Sequence, residues 1–378
     1  MGTPEAMLDT EAVLELTSGE GWERLVRGYR LAGLLLSAHR LGLLSVLNEQ
    51  GPQRADELGT ALNADVELTR ACCRALEAAD VCRREADGAW SLTPSGQWLA
   101  AQPAARLELD ALADDYHAWG RLDKRARALA SADSSPVVSN GAAGDRSDVD
   151  DIATDQAAAR RYGSRLAARH REQFEHLVDA LEPSRAVHVL DVGGGEGQLA
   201  RTIVRRWPDA TCTIVEVPAM AAVAAERCAG EERITVRPAH FFSTPEDGDE
   251  VLPRSADVVI VSHILDSLRQ TDQRQLSLRT AKVLAPGGCM VSCEAVLHHD
   301  SRHSLDVLLS MVGQAVQRRE GHLLTMHEQD TLLRAAGLAA ADEWWVAPDV
   351  RAVLGVRPTA GVEPALRVIR PAEPSATW

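Results

Sequence analysis

The stretch from His188 to Val217, HVLDVGGGEGQLARTIVRRWPDATCTIVEV, constrains the fold more than any other part of the chain. A short apolar run stops at Asp191 and enters a turn of glycines, and a second apolar run ends at Glu216. Further apolar runs, DVVIVSH and CMVSCEAVL, follow at similar spacing and alternate with helical segments. Short strands that alternate with helices predict a parallel sheet with right-handed crossovers. We therefore expect an α/β fold.

The glycine turn lies where open α/β sheets bind their ligands, beyond the carboxyl end of a strand. Neither GxGxxG nor GxxxxGK[ST] is present, and Glu196 in the turn would repel a pyrophosphate. Asp191 and Glu216 instead suit a ligand with a positive charge and a ribose diol, since a carboxylate accepts hydrogen bonds from hydroxyls. S-adenosylmethionine (SAM) is such a ligand. A dinucleotide-binding fold with a degenerate motif is the alternative.

The N-terminal part of the chain has the pattern of a winged-helix module. Apolar residues at helical spacing run from Gly21 to Leu47 and stop at Gly51-Pro52; two shorter helical segments follow, and then a hairpin around Asp87-Gly88. Such a module either binds DNA or serves for dimerisation. The segment that would enter a DNA groove, 65–81, carries four acidic residues against two arginines, and the chain has a net charge of −15. We therefore expect no nucleic-acid partner.

Composition divides the chain into four parts. Residues 131–155 are rich in Ser, Asp, Ala and Gly without apolar periodicity, which indicates an acidic loop or linker. We predict a helical, winged-helix-like dimerisation domain over 1–130, a ligand-binding α/β domain over 156–357 that starts with a helix over 156–181, and a loose Pro-rich tail over 358–378. The segment ADEWWVAPDVRAVLGVR predicts an antiparallel hairpin at the sheet edge.

The remaining features favour a cytoplasmic protein with no membrane partner. The seven cysteines form no CxxC pair, which indicates reduced thiols. The N-terminus lacks the basic and apolar regions of an export signal, and His39 and Arg40 interrupt the longest early apolar run.

Six motifs in order along the chain closely resemble the SAM-dependent small-molecule methyltransferases of the plant-type O-methyltransferase family, as found in bacterial secondary metabolism and antibiotic biosynthesis. They are LEAADVCRREADGAWSLTPSG, VLDVGGGEG, IVEVP, LAPGG, VSCEAVL and LLRAAGL. The resemblance implies a Rossmann-like class I methyltransferase domain behind an N-terminal winged-helix-like domain that swaps into a homodimer. It also implies a small-molecule acceptor.

The resemblance assigns the cofactor to particular residues. Asp191, Gly193 and Gly195 would line its methionine and ribose portions, and Glu216 would take the ribose hydroxyls. The region of His240 and Phe241 would cover the adenine. Met311 and Trp119 are the candidates for contacts with the acceptor.

One residue of the family pattern is missing. Members usually carry a catalytic His, followed by Asp and Trp, that removes the acceptor's hydroxyl proton. Here the stretch ILDSL places Asp266, Ser267 and Leu268 at those positions. Glu294 stands where the acid that orients the His is expected, and the second acid of the family is replaced near His322.

Three replacements for the missing base are open. Asp266 serves as the base if burial and Glu294 raise the pKa of its carboxyl. His263, three residues earlier, serves instead if Asp266 orients it. The third is a divalent or ferric metal held by Asp266 with His263, His240 and one more histidine, His299 or its neighbours His298 and His303. Histidines in a polar loop are also commonly only solvated.

These options leave three functions open. O-methylation of a phenol or other hydroxyl is the commonest activity in the family and is favoured. C-methylation of an activated ring or of an α-keto acid enol, with or without a metal, is the first alternative. A SAM-binding protein that has lost methyl transfer is the second.

Overall fold

The computed structural model describes residues 19–102, parts of 105–123, and 152–239, 252, 255–297, 321–347 and 349–369, with side chains from residue 28. The chain forms two compact units, Met1–Asp133 and Ser134–Trp378. Their boundary falls inside the segment 131–155 for which a linker was predicted, most of which lies outside the described residues.

The N-terminal unit contains the predicted order of helix, helix and hairpin. Its elements are α1 Gly19–Leu41, α2 Leu43–Gln50, α3 Ala55–Ala61, α4 Val66–Ala78, β1 Cys82–Arg84, β2 Trp90–Leu92 and α5 Pro94–Ala101. Asp65 caps α4 by accepting a hydrogen bond from the amide of Leu68, and Gly88, with φ of +86°, allows the turn between β1 and β2. Leu44, Leu58 and Leu76 lie in the core of this unit.

The expectation of a single helix from Gly21 to Leu47 is wrong, because two helices cover this segment. Gly42 has φ of +84°, a left-handed conformation that ends α1 and starts α2. Of the helices that the structure describes, none is by itself long and apolar enough to cross a membrane; one bent pair, Gly28–Leu41 with Leu43–Gln50, meets the criteria of length and composition.

The C-terminal unit alternates helices and strands. Its elements are α6 Gln156–Arg169, α7 Arg171–Asp179, β3 Leu181–Pro183, β4 His188–Val192, α8 Gln198–Arg206, β5 Thr211–Glu216, α9 Pro218–Arg227, β6 Ile234–Pro238, β7 Ala256–Ser262, α10 Gln270–Lys282, β8 Leu284–Leu297, β9 Leu324–Thr325, α11 Met326–Ala335, β10 Ala339–Ala347, β11 Val350–Val356 and β12 Leu366–Val368.

The sheet of this unit has the order β10-β11-β8-β7-β4-β5-β6, with β9 paired to β8. The strands from β8 to β6 are parallel, whereas β10 and β11 form the predicted antiparallel edge hairpin. The chain leaves β4 on one side for β5 and later returns to β7 on the other side. This reversal creates a crevice at the carboxyl end of β4, which is where such sheets bind ligands.

Three details differ from the sequence-based expectations. The helix over 156–181 is divided at His170 into α6 and α7. The LAPGG segment belongs to β8, where a register irregularity opposite β7 accommodates it. The segment after residue 357 is anchored as far as Ile369, because β12 pairs with β3 and Leu366 is buried. The expectation of a loose tail is therefore wrong for residues 366–368, where burial of apolar side chains holds the strand.

Candidate cofactor and acceptor site

Register brings the ends of three strands together. Val192, the last residue of β4, pairs with Val215 of β5 and with Val261 of β7. The residues that follow these positions, Gly193, Glu216 and Ser262, therefore meet at one edge of the sheet.

The glycine turn after β4 closes tightly around Asp191. Gly193 and Gly195 have φ of +70° and +55°, a region that favours glycine, and the amide of Gly193 donates to the carbonyl of Val215 at 2.9 Å. A β-carbon on Gly194 would lie 2.5 Å from Oδ2 of Asp191. The turn thus requires glycine for both conformation and space.

Two buried carboxyl groups stand at this turn. Glu216 accepts hydrogen bonds from the amide of Gly195 on Oε2 at 3.0 Å and from the amide of Val217 on Oε1 at 2.7 Å. Oδ2 of Asp191 is buried, and no hydrogen bond reaches it from the described part of the chain. An unpartnered buried carboxylate oxygen indicates a site for a hydrogen-bond donor or a cation.

Burial also shifts the acidity of these two groups. It raises the pKa of Asp191 to about 7, with a smaller contribution from the nearby Glu216. Burial likewise raises the pKa of Glu216 to about 7, against the opposing effect of its two backbone hydrogen bonds. Both groups would gain from a ligand that donates hydrogen bonds or carries positive charge.

Glu196 has a different role from the one that the sequence suggested. Its buried carboxylate accepts a hydrogen bond from the hydroxyl of Ser164 at 2.8 Å and lies 3.5 Å from Nε of Arg227 and 3.8 Å from a guanidinium nitrogen of Arg201. Its charge is therefore partnered within the protein and ties the turn to α6, α8 and α9.

A cavity of about 310 Å³ lies over the ends of these strands, and its described lining residues belong to the C-terminal unit. Asp191, Gly193, Gly195 and Glu216 form part of its wall. Helices α6 and α7 supply another part, and the segment after β7 supplies a third, including His263, Ser267 and Leu268. The volume falls within the range of small-molecule sites.

His263 lies in this wall in an unusual conformation. Its φ is +54°, its amide donates to the carbonyl of Cys293 at 3.0 Å, and its Nε2 is buried without a hydrogen bond from any described residue. Its ring stacks on that of His170, with centroids 3.9 Å apart and an interplanar angle of 16°, and Phe174 approaches its edge at 6.4 Å.

Burial disfavours the charged form of both imidazoles. Burial, followed by the neighbouring His170 and Arg169, lowers the pKa of His263 well below its ordinary value. Burial, followed by Arg169, lowers the pKa of His170 to about 4. A neutral imidazole can accept a hydrogen bond, which an imidazolium cannot.

Glu294 holds the turn that carries Asp266. This fully buried residue of β8 accepts hydrogen bonds on Oε1 from the amides of Ile264 and Leu265 at 3.3 and 3.2 Å. Burial, and then the charge of Asp266, raises the pKa of Glu294 well above its ordinary value. On the other side of the turn, the buried amide of Gln273 donates to the carbonyls of Leu265 and His322 at 2.8 and 2.6 Å.

Comparison with known families is decisive at this point. The model of the O-methyltransferase domain matches residues 140–339, more than half of the chain. The chain belongs to the O-methyltransferase family. It is accordingly an enzyme, a methyltransferase whose methyl donor is SAM.

Three relatives illustrate the range of this family. The chain is 33% identical to the acetylserotonin O-methyltransferase of Gallus gallus over 43% of its own length and 45% of that protein. It is 25% identical to the 3-amino-4-hydroxybenzoate 4-O-methyltransferase of Streptomyces cremeus over 83% of its own length and 85% of that protein. It is 30% identical to the aclacinomycin 10-hydroxylase RdmB of Streptomyces purpurascens over 51% of each. The chain thus spans about half the length of the first and third relatives.

A solved structure supports the fold over nearly the whole methyltransferase. That of the mitomycin 7-O-methyltransferase MmcR superposes with a TM-score of 0.76 at 23% identity, and covers 92% of this chain and 99% of that one. The predicted class I, Rossmann-like fold is confirmed.

SAM fits the residues at the glycine turn of the methyltransferase. Its ribose hydroxyls and its positive sulfonium are the donor and cation that a buried carboxylate pair requires. The unpartnered Oδ2 of Asp191 and the open space beside Gly195 are the two observations that support this fit.

The structure brings together only part of the site predicted from the sequence. His263 lines the cavity with the four cofactor residues, whereas Asp266 and Glu294 are not among the described lining residues. Trp119 is half-buried in the N-terminal unit. Four predicted residues lie outside the described ones: His240, Phe241, His299 and Met311.

A bound metal ion is the third replacement for the missing base. Within the part of the chain that the structure describes, no group of three or more His, Cys, Asp and Glu residues is placed to hold a metal ion. Of the four proposed ligands, the structure describes Asp266 and His263, and the ring of His263 stacks on His170. The geometry of the described residues thus gives the metal hypothesis no support.

Sequence reasoning missed His170 and Phe174. Both line the cavity from the junction of α6 and α7, in the segment RHREQFEHL. Their spacing of four residues puts them on one face of a helix, which is a signal that the sequence contains. That signal is weak, because a ring pair at this spacing is also common in ordinary cores.

The pH dependence of cofactor binding is the first prediction. We expect Glu216 to accept the ribose hydroxyls best when ionised. Because its pKa is about 7, the affinity for S-adenosylhomocysteine should fall between about pH 8 and about pH 6, by up to about tenfold per pH unit in the acid range. Calorimetry measures this change. Glu216→Gln should bind more weakly at about pH 8 and show a shallower pH dependence. A wild-type affinity that does not change with pH would contradict the assignment.

A matched pair of glycine substitutions provides the second prediction. Gly195 and Gly230 both have positive φ and open space at the β-carbon position, but only Gly195 is among the described cavity-lining residues. Gly195→Ala and Gly230→Ala should therefore cost similar stability, about 1–2 kcal/mol from backbone strain. Only Gly195→Ala should weaken S-adenosylhomocysteine binding, by about tenfold or more. Equal affinities in calorimetry would show that the cofactor does not approach this turn.

Proposed function

We propose that this methyltransferase transfers the methyl group of SAM to a hydroxyl oxygen of a small natural-product-type acceptor. The observation that carries the proposal is the single cavity that joins two buried carboxyl groups, Asp191 and Glu216, to a neutral imidazole, His263. Two of the three relatives above act as O-methyltransferases by name, and one of them acts on the aromatic hydroxybenzoate 3-amino-4-hydroxybenzoate.

The glycine turn supplies the cofactor contacts in this proposal. Glu216 takes the ribose hydroxyls, and Asp191 with the backbone of Gly193 and Gly195 lines the ribose and methionine portions. His240 and Phe241 remain the proposed adenine contacts. When bound, SAM supplies an electrophilic methyl carbon, so that transfer to a hydroxyl forms a C–O bond, breaks the C–S bond and releases the hydroxyl proton.

The chain's own residues must receive that proton. His263 lies in the cavity wall, and its buried Nε2 has a free lone pair in one neutral tautomer, so we assign to it the hydrogen bond from the acceptor's hydroxyl. Asp266 is the alternative base that the sequence indicated. Glu294 then acts through the backbone, since it fixes the amides of Ile264 and Leu265 beside His263.

A second function rests on two specific observations. The chain lacks the usual catalytic histidine at position 266, and a relative with 30% identity is a hydroxylase by name. A reaction other than O-methylation in the same cavity, C-methylation included, would need no hydroxyl base. It would leave the cofactor contacts unchanged.

The N-terminal unit carries the proposal of a homodimer. We assign dimerisation to residues 1–130, linkage to 131–155 and catalysis to 156–357, and we place the enzyme in the cytoplasm. The support is exposed apolar surface on α1, where Tyr29 is 60%, Leu31 43% and Leu41 50% exposed. Such a surface favours association with a second copy.

Substitutions at the two candidate bases test the catalytic assignment. His263→Asn tolerates the positive φ but removes the imidazole, and it should lower kcat by about 10²–10⁴-fold while the affinity for S-adenosylhomocysteine stays near that of the wild type. Asp266→Asn preserves size and should retain turnover within about threefold. Production of S-adenosylhomocysteine is measured with a panel of hydroxylated aromatic acids that begins with 3-amino-4-hydroxybenzoate.

The reverse pattern, an inactive Asp266→Asn beside an active His263→Asn, would move the base to Asp266. Both variants active on an acceptor that the wild type methylates at oxygen would remove both residues from proton transfer. An acceptor that gains the methyl group at carbon would support the second function. Activity that EDTA abolishes and a divalent or ferric ion restores would revive the metal hypothesis.

Light scattering tests the homodimer. We expect twice the chain mass of 40.8 kDa at micromolar concentration. Tyr29→Glu combined with Leu31→Glu should shift the mass toward the monomer, because charges on α1 oppose burial of that face. Leu68→Glu, on α4, is the matched control and should leave the mass unchanged. A monomeric wild type would overturn the proposal.

A further inference from the structure

His170 lines the cavity, and neither the family pattern nor the sequence reasoning assigned a role to it. It lies between α6 and α7 and is both the C-cap residue of α6 and the N-cap residue of α7. Its ring covers that of His263 at 3.9 Å and nearly parallel. Phe174, one helical turn later, meets His170 edge-on, with centroids 6.0 Å apart.

The ring of His170 stacks on His263, a residue with a strained backbone conformation. A histidine with φ of +54° is uncommon, because left-handed backbone is unfavourable for a residue with a β-carbon. Such strain persists only where surrounding contacts hold it, and it is frequent at functional sites. At His263 the contacts are the amide hydrogen bond to Cys293 and the ring of His170.

The stack also opposes protonation of the His170 and His263 imidazoles. Two imidazolium rings whose centroids are 3.9 Å apart would repel each other in a region that excludes water. Arg169, the last residue of α6, adds a positive charge that opposes protonation of both rings. Glu294 of β8, which accepts hydrogen bonds from the amides of Ile264 and Leu265, is buried, and burial raises the pKa of its carboxyl. Asp266 lies on the turn that follows His263, and Asp191 and Glu216 line the same cavity.

We propose that His170 is a positioning residue whose stacked ring holds the imidazole of His263 in place and shields it from water, ready to accept a hydrogen bond from the methyl acceptor. This inference rests on the proposed function for the role of His263 in catalysis. The stacking of the two rings, and the way it opposes protonation of His263, do not depend on whether His263 is the catalytic base. His170 itself need not contact the acceptor.

The titration of His263 tests the proposal without any acceptor. In protein labelled with ¹³C at the histidine Cε1 position, His263→Asn identifies the His263 signal. In the wild type we expect this signal to titrate well below the ordinary range of a histidine, because burial and the stack oppose the charge. His170→Phe retains a stacked ring without a titratable group and should preserve a neutral His263 at neutral pH.

His170→Ala removes the ring and admits water, so the midpoint of His263 should rise by about one pH unit or more. His176→Ala is the matched control on α7. The imidazole of His176 lies 3.3 Å from the carbonyl oxygen of Val346 and takes no part in the stack, so this variant should leave the midpoint of the His263 titration unchanged. If His170→Ala does not fold, His170→Gln provides the same loss of the aromatic ring. An unchanged His263 midpoint in the folded variant without the ring would overturn the proposal.

Turnover separates this inference from the proposed function. With an acceptor in hand, His170→Phe should retain most of kcat, and His170→Ala should lower kcat about tenfold or more while KM for SAM changes little. A shifted midpoint combined with full activity of His263→Asn would leave the positioning effect intact and refute the catalytic assignment. An unshifted midpoint combined with an inactive His263→Asn would refute the positioning effect and leave the catalytic assignment of His263 intact.

Discussion

The close wrapping of the glycine turn around Asp191 is the constraint on which the rest of the site depends. The turn leaves no room for a β-carbon at Gly194, and its next amide donates to Glu216, so the ends of β4 and β5 are held together. Two carboxyl groups are thereby buried side by side at the switch point of the sheet. Their burial costs stability in the free protein, and a ligand with donors and positive charge recovers that cost.

In our proposal, the segment after β7 takes over the role of the family's usual base, which is missing at position 266. Glu294 keeps the position of the orienting acid, but it holds backbone amides of the turn instead of an imidazole. The turn then presents His263 to the cavity. Proton acceptance has thus moved along the chain in our proposal, from position 266 to position 263, while the supporting acid has stayed in place.

Sequence patterns predicted much of this molecule, for identifiable physical reasons. Strand β4, its glycine turn and the acid that ends β5 were all predictable, because each depends on local apolar runs and on the conformational freedom of glycine. The edge hairpin of β10 and β11 and the order of helix, helix and hairpin before residue 93 were predictable on the same grounds. The breaks at Gly42 and His170 were missed, since apolar periodicity continues across both.

The sequence by itself determined the α/β class, the position of the cofactor turn and the loss of the usual histidine, because these are properties of neighbouring residues. Only the tertiary structure decided what stands near His263. His170 lies 93 positions earlier in the chain, and its ring reaches His263 because α6 and α7 cross over the ends of the strands. The same holds for Leu366, whose burial depends on pairing between β12 and the distant β3. Contacts between distant segments depend on packing of the whole unit, which local periodicity does not encode.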